Sequence, residues 1–163
     1  MQVFDLIRYN HVVRGLYFDA MAKLPWAEVV ADKGLSFGSM RNVFLHLTLV
    51  EDRWVSHIIP GRLSEWVDVD FDGFNDMESL KQYMNKTKSA TETYLAKYSG
   101  EELKRQIVVP WGQKPYSQVS VETVLTHMVM EDMIHYGELS AALWQMDLEA
   151  PYIGFWRYKQ QIT

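Results

Sequence analysis

Apolar side chains recur every three to four residues in four stretches of the chain, which is the spacing of an amphipathic helix. Residues that commonly bound helices mark these stretches: Pro25 ends the first, and Ser39 and Ser120 are placed to cap the second and the fourth. Asn75 followed by Glu78 resembles a capping box and opens the third. The pattern predicts an all-α protein. The first predicted helix covers about residues 3–24, and the second runs from Ser39 to Pro60-Gly61. The third covers about residues 76–98 and closes at Ser99-Gly100, and the fourth covers about residues 120–146.

The segments between and after these helices lack a helical period. Residues 61–73 alternate apolar and acidic side chains, which predicts an ordered crossing loop. Residues 105–111 and 116–119 are β-prone runs joined by Gly-Gln-Lys-Pro at 112–115, which predicts a small hairpin. The aromatic tail, residues 151–163, is expected to pack back over the helices. We therefore predict an up-and-down four-helix bundle with a long connection between helices two and three and a hairpin before helix four.

Composition bounds the class of protein. With 163 residues, 48% hydrophobic and 23% charged, the chain suits one domain over residues 1–163 that buries roughly two-thirds of its unfolded surface. A net charge of −5 without a Lys/Arg cluster argues against nucleic acid as a partner. Asp5 and Arg8 fall where a signal peptide would have its apolar segment, and no apolar run approaches the ~18 residues of a membrane span. We expect a cytoplasmic protein that does not enter a membrane.

Charged and imidazole side chains offer one candidate metal site. Glu131 and His135 are four residues apart, so on a helix they share a face about 6 Å apart along the axis. His46, in an apolar helical segment, is suited to supply a third ligand from another helix. The chain has no cysteine, which excludes thiolate ligands, and three ligands with open positions are typical of catalytic metal sites. From spacing alone, a surface ion pair and a core histidine hydrogen-bonded to a carbonyl remain open alternatives.

Two further side chains lie close to this pair in the sequence. His127 is four residues before Glu131, so it either donates a hydrogen bond that orients the carboxylate or packs as a satisfied core histidine. Asp132 is three residues before His135 and is the rival carboxylate ligand, ranked below Glu131. Both are predicted to lie in the second shell or in the pocket wall.

Other candidates follow from the phase of helix two. Asn42 and Arg53 lie at −4 and +7 from His46, along one stripe, so an amide and a guanidinium are expected to border the site. Arg53 either holds a substrate carboxylate or lies solvated at the groove edge. His57 falls in the last turn of this helix, where it favourably meets the helix dipole. His11 has no partner that the sequence identifies.

Three segments together resemble the DinB/YfiT-like metalloprotein family in their order and spacing. They read YNHVVRGLYFDAMAKLP, LHLTLVEDRW and HMVMEDMIHYGEL, and the resemblance covers nearly the whole chain. In the family's more frequent pattern, a His in the second helix joins two His in an H-x-x-x-H-R-G-Q segment. The chain matches this pattern at His46, His135 and Gly137. It departs from the pattern at Glu131, Tyr136 and Glu138, where the pattern has His, Arg and Gln.

One branch of that family, that of mycothiol-dependent maleylpyruvate isomerase, uses a His, Glu, His triad with this spacing. The resemblance therefore implies His46, Glu131 and His135 as ligands of one divalent metal ion, zinc by default, with nickel or iron(II) also compatible. It implies a metal-dependent S-transferase or isomerase that uses a low-molecular-weight thiol, such as mycothiol or bacillithiol, on a small-molecule substrate. The alternatives are a metal-assisted hydrolase and a non-catalytic metal-binding interaction protein. A homodimer is expected because dimers are common in the family.

Overall fold

Seven helices and one two-stranded antiparallel sheet make up the described part of the chain. This is a computed structural model that describes residues 3–97, 100–111 and 117–161. The helices are α1 (Val3–Met21), α2 (Trp26–Val30), α3 (Met40–Asp52), α4 (Met77–Lys97), α5 (Gly100–Lys104), α6 (Val121–Trp144) and α7 (Phe155–Gln161), and the strands are β1 (Gln106–Val108) and β2 (Gln118–Ser120). The predicted mainly helical fold is confirmed.

The four long helices pack on one another in pairs. α1 contacts α6 and α4, and α3 contacts α4 and α6. One apolar cluster gathers around Met40, Phe44 and Leu139, and a second gathers around Ile7 and Leu125. Four helices thus enclose two apolar clusters, as in helix bundles, while their up-and-down course stays a prediction.

Helix caps confirm two of the predicted starts. The Ser39 hydroxyl accepts a hydrogen bond from the backbone N–H of Asn42 at 3.2 Å, and the Ser120 hydroxyl accepts one from the N–H of Thr123 at 3.1 Å. Each bond satisfies one of the N–H groups that the first turn of a helix leaves unpaired. The two helices that carry the candidate ligands therefore begin where the sequence predicts.

The predicted cap of the third long helix is wrong by one residue. The Asp76 carboxylate, rather than Asn75, accepts a hydrogen bond from the N–H of Ser79, at 2.8 Å. The amide of Asn75 instead donates to the carbonyl of Gly73 at 3.3 Å. A carboxylate in the cap position also interacts favourably with the positive end of the helix dipole, which an amide does much less.

Three short helices, α2, α5 and α7, were not predicted, because none is long enough to show a period. α1 ends at Met21 rather than near residue 24, and α2 follows directly after Pro25, whose fixed φ angle suits the start of a helix. Gly100, predicted to close a helix together with Ser99, is the first residue of α5. Ser99 lies outside the described residues.

The second long helix widens before it ends. Residues Arg53–Ile58 form a π-helical turn that continues α3, and the N–H of Ile59 donates to the carbonyl of Trp54 at 2.9 Å. Gly61 then takes a left-handed φ of 75°, which ends the helix near the predicted position. The crossing loop is ordered as predicted, with 3-10 turns at Leu63–Glu65 and Phe71–Gly73.

The predicted hairpin is confirmed where it is described. Ile107 of β1 pairs with Val119 of β2 in an antiparallel register. Its connecting segment, residues 112–116, lies outside the described residues.

In the tail, the Tyr9 hydroxyl donates to the carbonyl of Ile153 at 2.7 Å, so the tail packs on α1 as expected as far as residue 161. No helix in the described ranges is long and apolar enough to cross a membrane.

A buried ion triad ties α1 to the two helices that carry the candidate ligands. The Arg14 guanidinium donates to Glu51 of α3 at 2.6 Å and to Asp132 of α6 at 2.6 Å, and all three side chains are buried. His11 lies 2.7 Å from Glu51, which gives this histidine the partner that the sequence did not identify. Although burial opposes ionisation of Glu51, Arg14, aided by the hydrogen bond with His11, keeps the pKa of this carboxyl well below its usual range.

Candidate metal site

His46 of α3 and His135 of α6 lie side by side where these helices pack. Their ring centroids are 4.9 Å apart, with an interplanar angle of 74°. Both rings border one cavity of about 210 Å³. The cavity is lined by His46, Val50, Trp54, Trp111, His127, Glu131, Asp132 and His135. The structure thus brings all three predicted metal ligands, and two of their predicted neighbours, to one cavity.

His46 lies in surroundings that keep its imidazole neutral. Burial and, to a smaller extent, the nearby His135 lower its pKa to about 4, against the opposing effect of Glu131 and Glu138. The His46 ring takes part in no hydrogen bond within the residues that the structure describes. A neutral imidazole with free ring nitrogens is the form that coordinates metals.

Phe37 packs against both histidines of the site, a contact that sequence reasoning missed. Its ring stacks on His46 with centroids 4.0 Å apart and planes 23° apart. The turn that presents Phe37 has left-handed backbone at Gly34 and Gly38, a conformation in which glycine avoids a steric penalty. Asn42 donates to the carbonyl of Phe37 at 3.0 Å. Asn42 thus positions Phe37 and is not among the residues that line the cavity.

Glu138 orients His135. Its carboxylate lies 3.4 Å from Nδ1 of His135 and accepts a hydrogen bond from the Ser36 hydroxyl at 2.7 Å. A carboxylate on one ring nitrogen fixes the ring and leaves Nε2 for a metal, as is common for metal-binding histidines. The i, i+3 spacing from His135 was the signal in the sequence that would have identified Glu138.

Glu131 borders the cavity but stands apart from the two imidazoles. Its side chain is 45% exposed, and Oε1 lies 3.9 Å from Nδ1 of His127, which is longer than a hydrogen bond. Within residues 3–97, 100–111 and 117–161, no three His, Asp or Glu side chains are grouped closely enough to hold a metal ion. The donor types suit a metal, but Glu131 has to turn toward the histidines to act with them.

Asp132 points into the protein rather than toward the two histidines. Its Oδ2 accepts hydrogen bonds from Arg14 at 2.6 Å and from the amide of Asn10 at 2.5 Å. Turning this carboxylate toward the histidines would break its buried ion pair with Arg14 and leave that guanidinium with Glu51 alone. Of the two neighbouring carboxylates, Glu131 is therefore the better candidate ligand.

The model of the DinB family matches residues 1–162 of the chain. The chain belongs to the DinB family. This membership confirms the resemblance seen in the sequence, whereas the branch with a His, Glu, His triad stays a prediction. No curated protein matches the chain.

Aromatic side chains form the outer wall of the cavity in this DinB-family member. Trp54 and Trp111 meet edge to face with ring centroids 5.0 Å apart. The Arg53 guanidinium lies 5.2 Å from the ring centroid of Trp111 and 5.6 Å from that of Trp66. Arg53 supports this wall through cation–π contacts and is not among the residues that line the cavity. The His57 ring packs against Trp66, the second aromatic partner of Arg53, with ring centroids 5.1 Å apart.

Proposed function

We propose that this DinB-family protein binds one divalent metal ion through His46, Glu131 and His135. The observation that carries the proposal is the 4.9 Å separation of the two imidazole rings on a single cavity that Glu131 also borders. Two imidazoles and one carboxylate suit zinc, and they also accept nickel or iron(II). Three protein ligands leave coordination positions open for substrate, as in catalytic sites.

We further propose that the bound metal serves a thiol S-transferase or isomerase reaction on a small molecule, as in the His, Glu, His branch of the family. A divalent ion in such a site lowers the pKa of a bound thiol or water, which provides a nucleophile at neutral pH. The chain's own contribution is positional: Glu138 orients His135, and Phe37 packs on His46. A cavity of about 210 Å³ admits only a small molecule or part of one.

Metal content tests the proposal directly. Protein purified without an affinity tag and reconstituted with zinc should hold one ion per chain by elemental analysis. Less than about a tenth of an equivalent would contradict the proposed site. A thiol-consumption assay with small electrophiles then tests the reaction. Metal-dependent loss of thiol supports a transferase, turnover with water alone would assign a hydrolase, and metal binding without turnover would assign an interaction protein.

Glu131→Gln is expected to weaken zinc binding at least about tenfold, because the amide removes the one negative charge among the three ligands. Glu131→His should retain the metal, since imidazole is also a ligand. Isothermal titration with zinc measures both. The matched control is Glu122→Gln, an exposed position in the first turn of the same helix, which should bind as the wild type does. Equal affinity in Glu131→Gln and Glu122→Gln would remove Glu131 from the ligand set.

We propose a homodimer that forms along the exposed face of α6. Met130, Ile134 and Trp144 on this face are each more than 60% exposed. Together with Gly137 and Ala141 they recur at intervals of 4, 3, 4 and 3 residues, the spacing of a helix–helix seam, and the two small residues lie between larger ones. Such a stripe suits a second copy of itself across a two-fold axis. Apolar side chains exposed in one row are typical of an interface.

Ile134→Asp is expected to convert the dimer to a monomer, because a buried unpaired carboxylate at the seam is costly. Light scattering after size exclusion measures the mass. Val67→Asp is the matched control: Val67 is 79% exposed in the crossing loop, and its replacement should leave the dimer intact. A wild-type protein that is monomeric at high micromolar concentration would refute the interface.

A further inference from the structure

A second cavity of about 210 Å³ adjoins the candidate metal site. Trp54, Trp111 and His127 border both cavities. The wall they form is held from outside the cavity by the contact of Arg53 with Trp111, at 5.2 Å to the ring centroid. The two cavities therefore adjoin along these three side chains, and the tryptophan contacts of this shared wall are formed before any ligand binds.

The lining of this second cavity is apolar. Apart from the three shared side chains it is lined by Val109, Val119, Val124 and Thr123. The Thr123 hydroxyl lies 2.8 Å from that of Ser120, within hydrogen-bonding distance. No carboxylate, lysine or arginine borders the cavity in the described part of the chain. A charged or strongly polar group placed here would find only Thr123 and His127 as side-chain hydrogen-bonding partners, whereas a hydrocarbon group gains from burial against the valines and tryptophans.

The spacing of the lining residues along α6 gives the distance between this cavity and Glu131 of the candidate metal site. Thr123, His127 and Glu131 follow one another at intervals of four residues, so each step is about 6 Å along the helix. A group in the apolar cavity thus lies roughly 6–12 Å along the helix from Glu131. One elongated small molecule can reach both places.

The volume limits the size of the group. An apolar cavity of about 150 Å³ holds benzene in a well-studied engineered protein. The 210 Å³ seen here accommodates a single aromatic ring with a short substituent, or a branched alkyl group of similar volume.

We propose that this cavity binds the hydrocarbon part of the electrophilic substrate while the reacting end of that substrate lies at His46, Glu131 and His135. The inference rests on the proposed function and deepens it, because it assigns an apolar electrophile as the substrate class. The thiol, which is polar, approaches the metal site from elsewhere. Specificity for the electrophile then comes from the valines and tryptophans, since a change of one methylene in such a pocket alters selectivity by about 10–200-fold.

Binding of benzyl alcohol to the full chain tests the assignment. In wild-type protein, benzyl alcohol should bind at least about tenfold more tightly than benzoate or benzylamine, which carry the same ring with a charge. Val109→Phe fills the cavity and should weaken benzyl alcohol binding at least about tenfold. Val108→Phe is the matched control, because Val108 is the neighbouring residue and is 50% exposed; it should bind within about twofold of wild type. Thr123→Phe, on α6, fills the cavity from the opposite side if Val109→Phe does not fold.

Measurements on the same proteins distinguish a failure of the apolar subsite from a failure of the proposed metal site. In cobalt(II)-loaded wild-type protein, nuclear relaxation of the benzyl alcohol ring protons should be enhanced, and the enhancement should disappear in Val109→Phe. Metal-loaded protein that binds the charged and uncharged probes alike, or that shows no enhancement, overturns the apolar subsite and leaves the metal site intact. Protein that binds benzyl alcohol but no metal overturns the proposed function and leaves a plain apolar ligand site.

Discussion

Arg14→Met is expected to lower the free energy of unfolding by about 3–5 kcal/mol, because it leaves two buried carboxylates without their cation. Glu51 and Asp132 each accept a hydrogen bond from Arg14 at 2.6 Å, and their side chains are almost entirely buried. Urea denaturation followed by circular dichroism measures the change.

Arg8→Met is the matched control on the same helix. Arg8 pairs with Glu92 at 3.3 Å with its side chain 44% exposed, so its loss should cost less than about 1 kcal/mol. Replacing Arg14, Glu51 and Asp132 together by Met, Leu and Leu should recover part of the stability, since no buried charge is left unpaired. The recovery should be incomplete, because the buried side chains of Asn10, His11 and Thr91 lose their carboxylate partners. If Arg14→Met cost no more than Arg8→Met, the triad would not be a stabilising element of the fold.

His46→Ala is expected to abolish tight metal binding, with a loss of affinity of more than about 100-fold. Its imidazole is the only proposed ligand from α3, so its removal leaves two ligands on one helix. The protein should remain folded, because the apolar clusters rather than the metal form most of the core. Zinc titration and a thermal melt of the same sample measure both quantities.

His57→Ala controls for the loss of a histidine from the same helical segment. The His57 ring packs against Trp66 and is not among the residues that line the cavity. This variant should therefore bind metal as tightly as wild type. Equal zinc affinity in the two variants would show that the site between α3 and α6 does not bind metal through His46.

Local signals made much of the fold predictable from the sequence. A helical period and a serine cap depend on residues within one or two turns, and so the starts of α3 and α6 at Ser39 and Ser120 were correct. Helices as short as α2, α5 and α7 carry too few residues to show a period, and all three were missed. Adjacent Asn75 and Asp76 are both good caps, and only the folded backbone decides between them.

The sequence predicted those residues of the site whose positions follow from their spacing along a helix. Four-residue spacing places Glu131 and His135 on one face of α6, and the apolar helical segment around His46 made this histidine a candidate ligand that the family resemblance then supported. The orientation of Asp132 was not predictable, because its partner Arg14 lies 118 residues away in the sequence. Phe37 was missed for the same reason: it lies in a turn between helices and reaches His46 only after the chain folds.

The π-helical turn at Arg53–Ile58 determines which side chains of this segment face the cavity. A π turn holds one residue more than the α-helical turn it replaces, and each residue of an α-helix turns the chain by about 100°. His46 lies before the turn and Trp54 lies within it. A one-residue deletion here would therefore leave the histidine in place and rotate a different side chain into the aromatic wall. An insertion or deletion at this turn can therefore alter the aromatic wall of the cavity while His46 and His135 keep their positions.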